Sequence, residues 1–424
     1  MKIVAFWFRR DLRLEDNTAL HHALNSGMKV LPVFIFDEQI LNELPKEDAR
    51  VSFIHDTLSK INSQLKSLNS SLCVRFGNPV SVWKDLIQQY DIERIYVNED
   101  YEPYAIKRDK EVDKLASTHE ITFYAYKDQV VFGPKEVLKP SDGSPYTVYT
   151  PYKNKWLERF KSEPPKVLSD SNLSQFLSEK HDFPKLKDIG FHPSEIKVKP
   201  YDLSNLSDYH VNRDFPAADG TSYLSVHLRF GTVSVRQVIA QLKTSDSVFL
   251  SELVWREFFM QILYHFPDVV SNNFKSKYDG VAWRNNQTEF EKWKNGETGY
   301  PMVDAGMKQL NATGYMHNRV RMVTASFLCK HLLIDWRWGE AYFAEKLLDY
   351  ELSSNNGNWQ WSAGTGCDAA PYFRVFNPTE QLKKFDPKMK YIKKWVTEFL
   401  PPMVDHAFAR KRAIEAYKIG ITAD

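Results

Sequence analysis

Short apolar runs and amphipathic stretches alternate through the first 126 residues, and then the alternation stops. The apolar runs cover residues 3–8, 30–36, 72–76, 94–97 and 121–126. Helix-like spacing fills residues 17–26, 49–68, 79–90 and 104–117 between them. Strands separated by helices pair in parallel through crossovers, so this pattern calls for a doubly wound parallel sheet with helices on its faces. Residues 1–132 are expected to form this Rossmann-like α/β domain. The sequence holds neither G-x-G-x-x-G nor G-x-x-x-x-G-K-[ST], so a dinucleotide fingerprint and a P-loop are both unsupported.

From residue 133 to 206 the texture changes to Pro, Ser, Lys and Asp, as in Lys139-Pro140-Ser141-Asp142-Gly143-Ser144-Pro145. This reads as a long interdomain linker that packs along its neighbours. Residues 207–424 then read as an all-α domain. Its clearest helical stretches are 233–242, 247–266, 300–313, 317–333, 339–349 and 387–399.

The chain of 424 residues carries a net charge of only +2, which by itself implies no nucleic-acid partner. A local basic groove remains compatible with that balance. The three cysteines, Cys73, Cys329 and Cys367, lie far apart and show no metal spacing. No metal site is expected, and free thiols fit a reducing compartment. The N-terminus enters a strand pattern with no signal-peptide architecture, and no apolar run reaches the roughly 18 residues of a membrane span. The expectation is a cytoplasmic protein with no membrane association. Aromatic content is high at 14%, and eight of the 11 Trp lie at or beyond position 255. Rings so concentrated fit either packing or a stacking and redox role.

Four groups of residues could carry chemistry. Trp359-Gln360-Trp361 sits among small and amide side chains. On a helix, residues two apart point about 200° apart, so the two rings face nearly opposite sides. Asn355 and Trp359, four apart, share a face. Glu252, Trp255 and Arg256 share another helix face. A carboxylate, a flat ring and a guanidinium suit a nucleobase and its phosphate, and equally suit a salt-bridged amphipathic helix. Asn318, Arg321 and Met322 form a third face, where Arg319 or Arg321 would need an acid such as Asp349 or Glu351 if buried. Finally, Gly220-Thr221-Ser222-Tyr223-Leu224-Ser225 offers backbone N–H and hydroxyl donors to a phosphate, or an ordinary N-cap. Together these point to a helical-domain cavity for a phosphorylated flat cofactor, beside a pocket for a flat ligand.

These residues, with Trp7-Phe8-Arg9-Arg10-Asp11-Leu12-Arg13, Gly299-Tyr300-Pro301, His317-Asn318-Arg319 and Asp335-Trp336-Arg337, resemble the photolyase/cryptochrome family. The motifs recur in the family's order over nearly the whole chain, and the match is nearest to class I cyclobutane pyrimidine dimer photolyases. The resemblance implies FAD in the helical domain. Tyr209 and Thr221, Ser222, Tyr223, Leu224 and Ser225 would hold its phosphates and ribityl chain. Asn318, Arg321, Asp349, Tyr350 and Glu351 would surround the ring, with Asn355 at flavin N5. Trp359, Trp336 and Trp283 match the family's electron-transfer chain.

On the substrate side the resemblance implies DNA with a flipped-out pyrimidine dimer. Glu252, Trp255, Asn318, Met322 and Trp361 match the lesion pocket, and Arg213, Arg256, Arg319 and Arg374 match phosphate contacts. The implied reaction is light-driven: FADH⁻ gives an electron to the dimer, the cyclobutane ring opens, and the electron returns. Glu252 would stabilise the charged dimer. Glu351 stands where many relatives have Asp, and Tyr315 where Trp is frequent. Glu102-Pro103-Tyr104-Ala105 lacks the Asn-Glu pair of folate-binding relatives, so a second antenna chromophore is left unassigned. A blue-light photoreceptor and a (6-4) photolyase are the rival readings. The short C-terminal end and Met322 in place of a pocket histidine favour dimer repair. The expected working unit is a monomer with no obligate protein partner.

Overall fold

The computed structural model describes residues 1–168 and 172–421. Residues 169–171 of the expected linker and 422–424 of the expected helical domain lie outside the described residues. The chain divides into two compact units. One holds residues 1–136, 156–201 and 224–243; the other holds 137–155, 202–223 and 244–424.

The first unit is built on five parallel strands: β1 (Ile3–Phe8), β2 (Lys29–Asp37), β3 (Cys73–Gly77), β4 (Ile92–Asn98) and β5 (Thr122–Tyr126). Their order is β3-β2-β1-β4-β5, the doubly wound arrangement expected from the alternation. β1 is central and buried along its whole length, which is why its sequence is continuously apolar instead of alternating. It pairs Ala5 with Leu31 on one side and with Ile95 on the other. Helices α1 (Thr18–Leu24), α2 (Ala49–Ser67), α3 (Pro79–Gln89) and α4 (Pro103–Thr118) fill the intervals. Three of them start where a side chain caps the first turn. Asn17 accepts from Leu20 N, Asp48 from Arg50 N, and Asn78 from Val80 N. Trp7 and Trp83 meet edge to face at 5.5 Å in the core between sheet and helices.

The stretch expected as a linker is instead shared by the two units, 137–155 going to the second and 156–201 to the first. It also contains a 14-residue helix, α5 (Tyr149–Ser162). Its apolar residues are aromatic (Tyr149, Tyr152, Trp156, Phe160) apart from Leu157, and set among Lys, Pro and Glu, so composition masked the helical spacing.

In the second unit the helices that matter below are α6 (Ser247–His265), α7 (Pro301–Thr313), α8 (Asn318–Ser326), α9 (Trp336–Lys346), α10 (Leu352–Ala363) and α11 (His406–Ile421). The helix expected over 317–333 changes character partway. α8 passes into a π-helical turn, Phe327–His331. Such wide turns are rare and collect at functional sites. The helix expected over 387–399 shrinks to Lys390–Trp395. Asp386 ends the preceding helix and caps this one, accepting from Lys390 N at 2.9 Å and Ile392 N at 3.0 Å, while Met389 turns into the left-handed region. α10, anticipated only through the helical spacing of Asn355, Trp359 and Trp361, and α11 lie outside the clearest expected stretches. α10 carries a burial logic that periodicity cannot show. Gly357 lets it approach α6 so closely that a Cβ there would lie 2.2 Å from Phe259. Its buried amides are satisfied one by one, with Asn356 and Gln360 both donating to Val269 O.

Candidate active site

One cavity in the second unit, about 570 Å³ including its open mouth, collects residues from α8, α9, α10 and the α9–α10 turn. Of the expected site residues it brings together Asn318, Arg321, Met322, Asp349, Tyr350, Glu351, Asn355, Trp359 and Trp361. It adds Ala325, Phe343, Leu347, Ser354, Asn358 and Ser362. Ser354, Asn358 and Ser362 form an i, i+4, i+8 row of small polar residues on α10, a spacing that was readable in the sequence. Phe343 left no such signal.

Trp359 and Trp361, expected on nearly opposite sides of the helix, both border this one cavity, though from different surroundings. Trp359 is buried and packs against Phe343 at 4.9 Å and Trp293 at 6.1 Å. Trp361 is half-buried and lies 6.4 Å from Phe376. Asn355, on the Trp359 side, donates from Nδ2 to the Glu340 carbonyl at 3.1 Å and to Glu340 Oε1 at 2.9 Å. Burial pushes the Glu340 carboxyl upward against the pull of that bond. The Asn355 side-chain oxygen is thereby left as its acceptor end.

The arginine that needed an internal acid is Arg321. Its Nη2 meets both oxygens of Asp349, at 3.1 and 2.9 Å, and its Nε donates to Met316 O. Arg319, expected to face a phosphate, also has an acid, with Nη2 2.7 Å from Asp214 Oδ1 and its guanidinium 4.3 Å over Phe385. His317 caps α8 by accepting from Arg319 N. Burial first, then the Arg321 charge, hold its imidazole down to about 4. The Nε2 of His317 and the Nε of Arg319 are buried without a hydrogen-bond partner.

A second cluster stands on α6. Glu252 Oε1 receives Arg213 Nη1 at 2.6 Å, and Arg213 also lies 5.5 Å over the Tyr209 ring. Trp255 is half-buried, with the Tyr149 ring stacked on it at 3.5 Å and 7°. Neither Glu252, Trp255, Arg213 nor Tyr209 lines the cavity described above. Nor do Thr221, Ser222, Tyr223, Arg256, Arg374, Trp283 or Trp336. Tyr223 adopts a positive φ of 52° and meets Tyr315 edge to face at 5.3 Å. Leu224 and Ser225 count with the first unit, where Leu224 opens a helix of seven residues. Trp336 is buried, its Nε1 donating to Asn273 Oδ1 at 2.8 Å, while Trp283 is half-buried against Tyr417 at 5.7 Å. Arg374 lies 5.4 Å over Phe376.

Lys330 of the π-turn holds the end of α10. Its Nζ donates to Ala363 O at 2.7 Å and Tyr372 O at 3.1 Å, and sits 3.8 Å over the Tyr417 ring. Burial lowers this lysine to about 7. Above that pH the unfolded chain keeps the proton that the folded chain has lost. Stability should therefore rise between pH 7 and 9, by up to about 1.4 kcal/mol per pH unit from this group. Lys330→Met should flatten the rise, as denaturant unfolding at pH 7, 8 and 9 will show.

The cavity offers amide and guanidinium donors, carboxylate acceptors and an aromatic wall around one opening. That donor set fits a flat heterocycle with polar edges. No group of three or more metal-binding side chains occurs among the described residues, and no helix there is long and apolar enough to cross a membrane. Comparison with known proteins agrees with the cavity. Residues 4–169 match the DNA photolyase family model, and residues 249–400 match the FAD binding domain of DNA photolyase. A deoxyribodipyrimidine photo-lyase from Halobacterium salinarum is 37% identical over 94% of this chain and 89% of its own length. The Escherichia coli deoxyribodipyrimidine photo-lyase is 36% identical over 99% of this chain and 93% of its own. The structure of an archaeal photolyase from Sulfolobus tokodaii with two FAD molecules superposes with a TM-score of 0.87 at 36% identity, covering 99% of this chain and 100% of that one. With both units matched and the cavity in the part matched by the FAD-binding model, the chain belongs to the DNA photolyase family.

Proposed function

We propose that this chain is a light-dependent deoxyribodipyrimidine photo-lyase that splits cyclobutane pyrimidine dimers in DNA. The observation that carries the reading is the aromatic-walled cavity of Asn318, Arg321, Asp349, Glu351, Asn355 and Trp359 inside the FAD-binding region. When bound there, FAD supplies light absorption and one-electron chemistry. The protein supplies position and polarity. The Arg321–Asp349 pair fixes a cation at the cavity wall, and Glu340 fixes the amide of Asn355 so that its oxygen can accept a ring N–H. Tyr350 and Glu351 close the turn beside it. Tyr209 and the run Thr221, Ser222, Tyr223, Leu224 and Ser225 would serve the phosphates and ribityl chain.

Glu252, Trp255, Asn318, Met322 and Trp361 would receive the extruded dimer, and Arg213, Arg256, Arg319 and Arg374 would face the DNA backbone. Glu252 carries negative charge that Arg213 orients, so its role would be to hold a base edge in register. The Sulfolobus protein, which holds two FAD molecules, supports a second chromophore in this chain as well. The three free cysteines support a cytoplasmic setting.

The test is direct. Reduced protein is mixed with ultraviolet-irradiated oligothymidine, and thymine absorbance is followed under blue light. Recovery in light only is expected; flavin-loaded protein that restores nothing overturns the reading. The tryptophan relay has its own test. Burial falls from Trp359 and Trp336 to half-buried Trp283, as a route to the surface requires. Trp336→Phe should slow light-driven reduction of the bound flavin about tenfold or more and leave repair by chemically prereduced protein intact. If prereduced protein also lost repair, Trp336 would belong to something other than the relay.

A further inference from the structure

Tyr149 belongs to the stretch whose sequence reads as a linker, and no part of the site reading assigns it a role. Its ring lies on the indole of Trp255 at 3.5 Å and 7°, a close and nearly parallel stack. Two further rings hold the same indole. Phe259 lies 5.5 Å away at 26°, and Phe258 meets it edge to face at 5.6 Å. Trp255 remains half-buried, so part of its surface stays open.

The tyrosine is itself tied down at both ends. Its hydroxyl donates to Ser251 O at 2.8 Å, one turn before Trp255 on α6. Its backbone N–H donates to Asp368 Oδ2 at 3.1 Å, in the loop that follows α10 and runs on to Arg374. Three residues earlier, Tyr146 O accepts from Gln261 Nε2 at 2.8 Å, and three residues later, Tyr152 packs 5.4 Å from Phe258. Burial first, and then the Glu252 carboxylate, push the Tyr149 phenol upward, which keeps it protonated as the donor to Ser251. The segment thus bridges the helix of Glu252 and Trp255 to the loop after Trp361.

We propose that Tyr149 is a positioning residue for damaged-base recognition. It fixes the plane of Trp255 from behind, so that the open part of the indole meets a flat pyrimidine dimer in one orientation. An indole free to rotate loses the stacking geometry on which sequence-tolerant base contact depends. This inference rests on the dimer-repair reading of the same site.

The test compares Tyr149→Leu and Tyr149→Phe with the flavin-loaded wild type, using irradiated and non-irradiated oligothymidine in binding titrations. Tyr149→Leu should weaken binding of the irradiated strand about tenfold, keep its flavin, and leave binding of the non-irradiated strand unchanged. Tyr149→Phe keeps the stack and should bind within about twofold of wild type. In a Trp255→Leu background, Tyr149→Leu should add nothing, because its effect passes through that indole. Undiminished damage binding by Tyr149→Leu overturns the proposal, as does full additivity with Trp255→Leu. A wild type that binds both strands equally would instead remove the dimer-repair reading itself.

Discussion

Gly339→Ala should yield a protein that is less stable and holds little flavin. Gly339 lies on α9 against the ring of Trp359. A Cβ there would stand 2.1 Å from Trp359 Cη2, 2.4 Å from its Cζ3 and 2.6 Å from Leu328 Cδ2. Within the core neither neighbour can retreat. Leu328 is fully buried, and Trp359 is closed in by Phe343 and Trp293. Overpacking a filled core costs about 1–3 kcal/mol, and a clash with a rigid ring belongs near the upper end. The relief available is for Trp359 to swing into the cavity it borders, which narrows the space for a flavin ring. Thermal unfolding and the ratio of flavin to protein absorbance measure both effects. A variant with full flavin and an unshifted midpoint would show that the ring tolerates displacement and does not shape the site.

Glu252→Ala should do the opposite, leaving flavin and stability nearly intact while repair falls about tenfold or more. Glu252 lies outside the cavity, and its partner Arg213 is partly exposed, so the unpaired arginine can turn to water at little cost. What disappears is a fixed negative charge beside Trp255. Glu252→Gln retains the shape and a hydrogen-bonding oxygen, and should fall between the wild type and the alanine variant. The measurement is dimers split per absorbed photon by prereduced protein at saturating substrate. Equal yields in all three proteins would remove Glu252 from the reaction.

The strand–helix alternation made the first unit legible because the central strands β1 and β2 are continuous apolar runs and three of the four helices begin at a side-chain cap. The cavity was legible for a different reason. Asn355 with Trp359, and Asn318 with Arg321, are pairs at helical spacing, so local geometry sufficed to put each pair on a face. Contacts between distant segments were not legible. Nothing in sequence pairs Arg319 with Asp214 or lays Tyr149 on Trp255, since both depend on how remote chain segments pack. The π-turn at Phe327–His331 was missed because its apolar residues continue a helical pattern while the hydrogen bonding widens. Helix α10 was legible only through the spacing of Asn355, Trp359 and Trp361, because its burial is polar, each amide held by a specific carbonyl.

That same helix gives Trp359 a setting with a dynamic meaning. Its indole has a glycine on one side and aromatic carbon on others, so that only its edge on the cavity is free. A ring so confined can change its charge while its surroundings scarcely move. Passage of an electron through it would then depend on the fixed separation between rings more than on thermal motion. Such a step would remain fast in the cold, where processes that wait on protein rearrangement slow down.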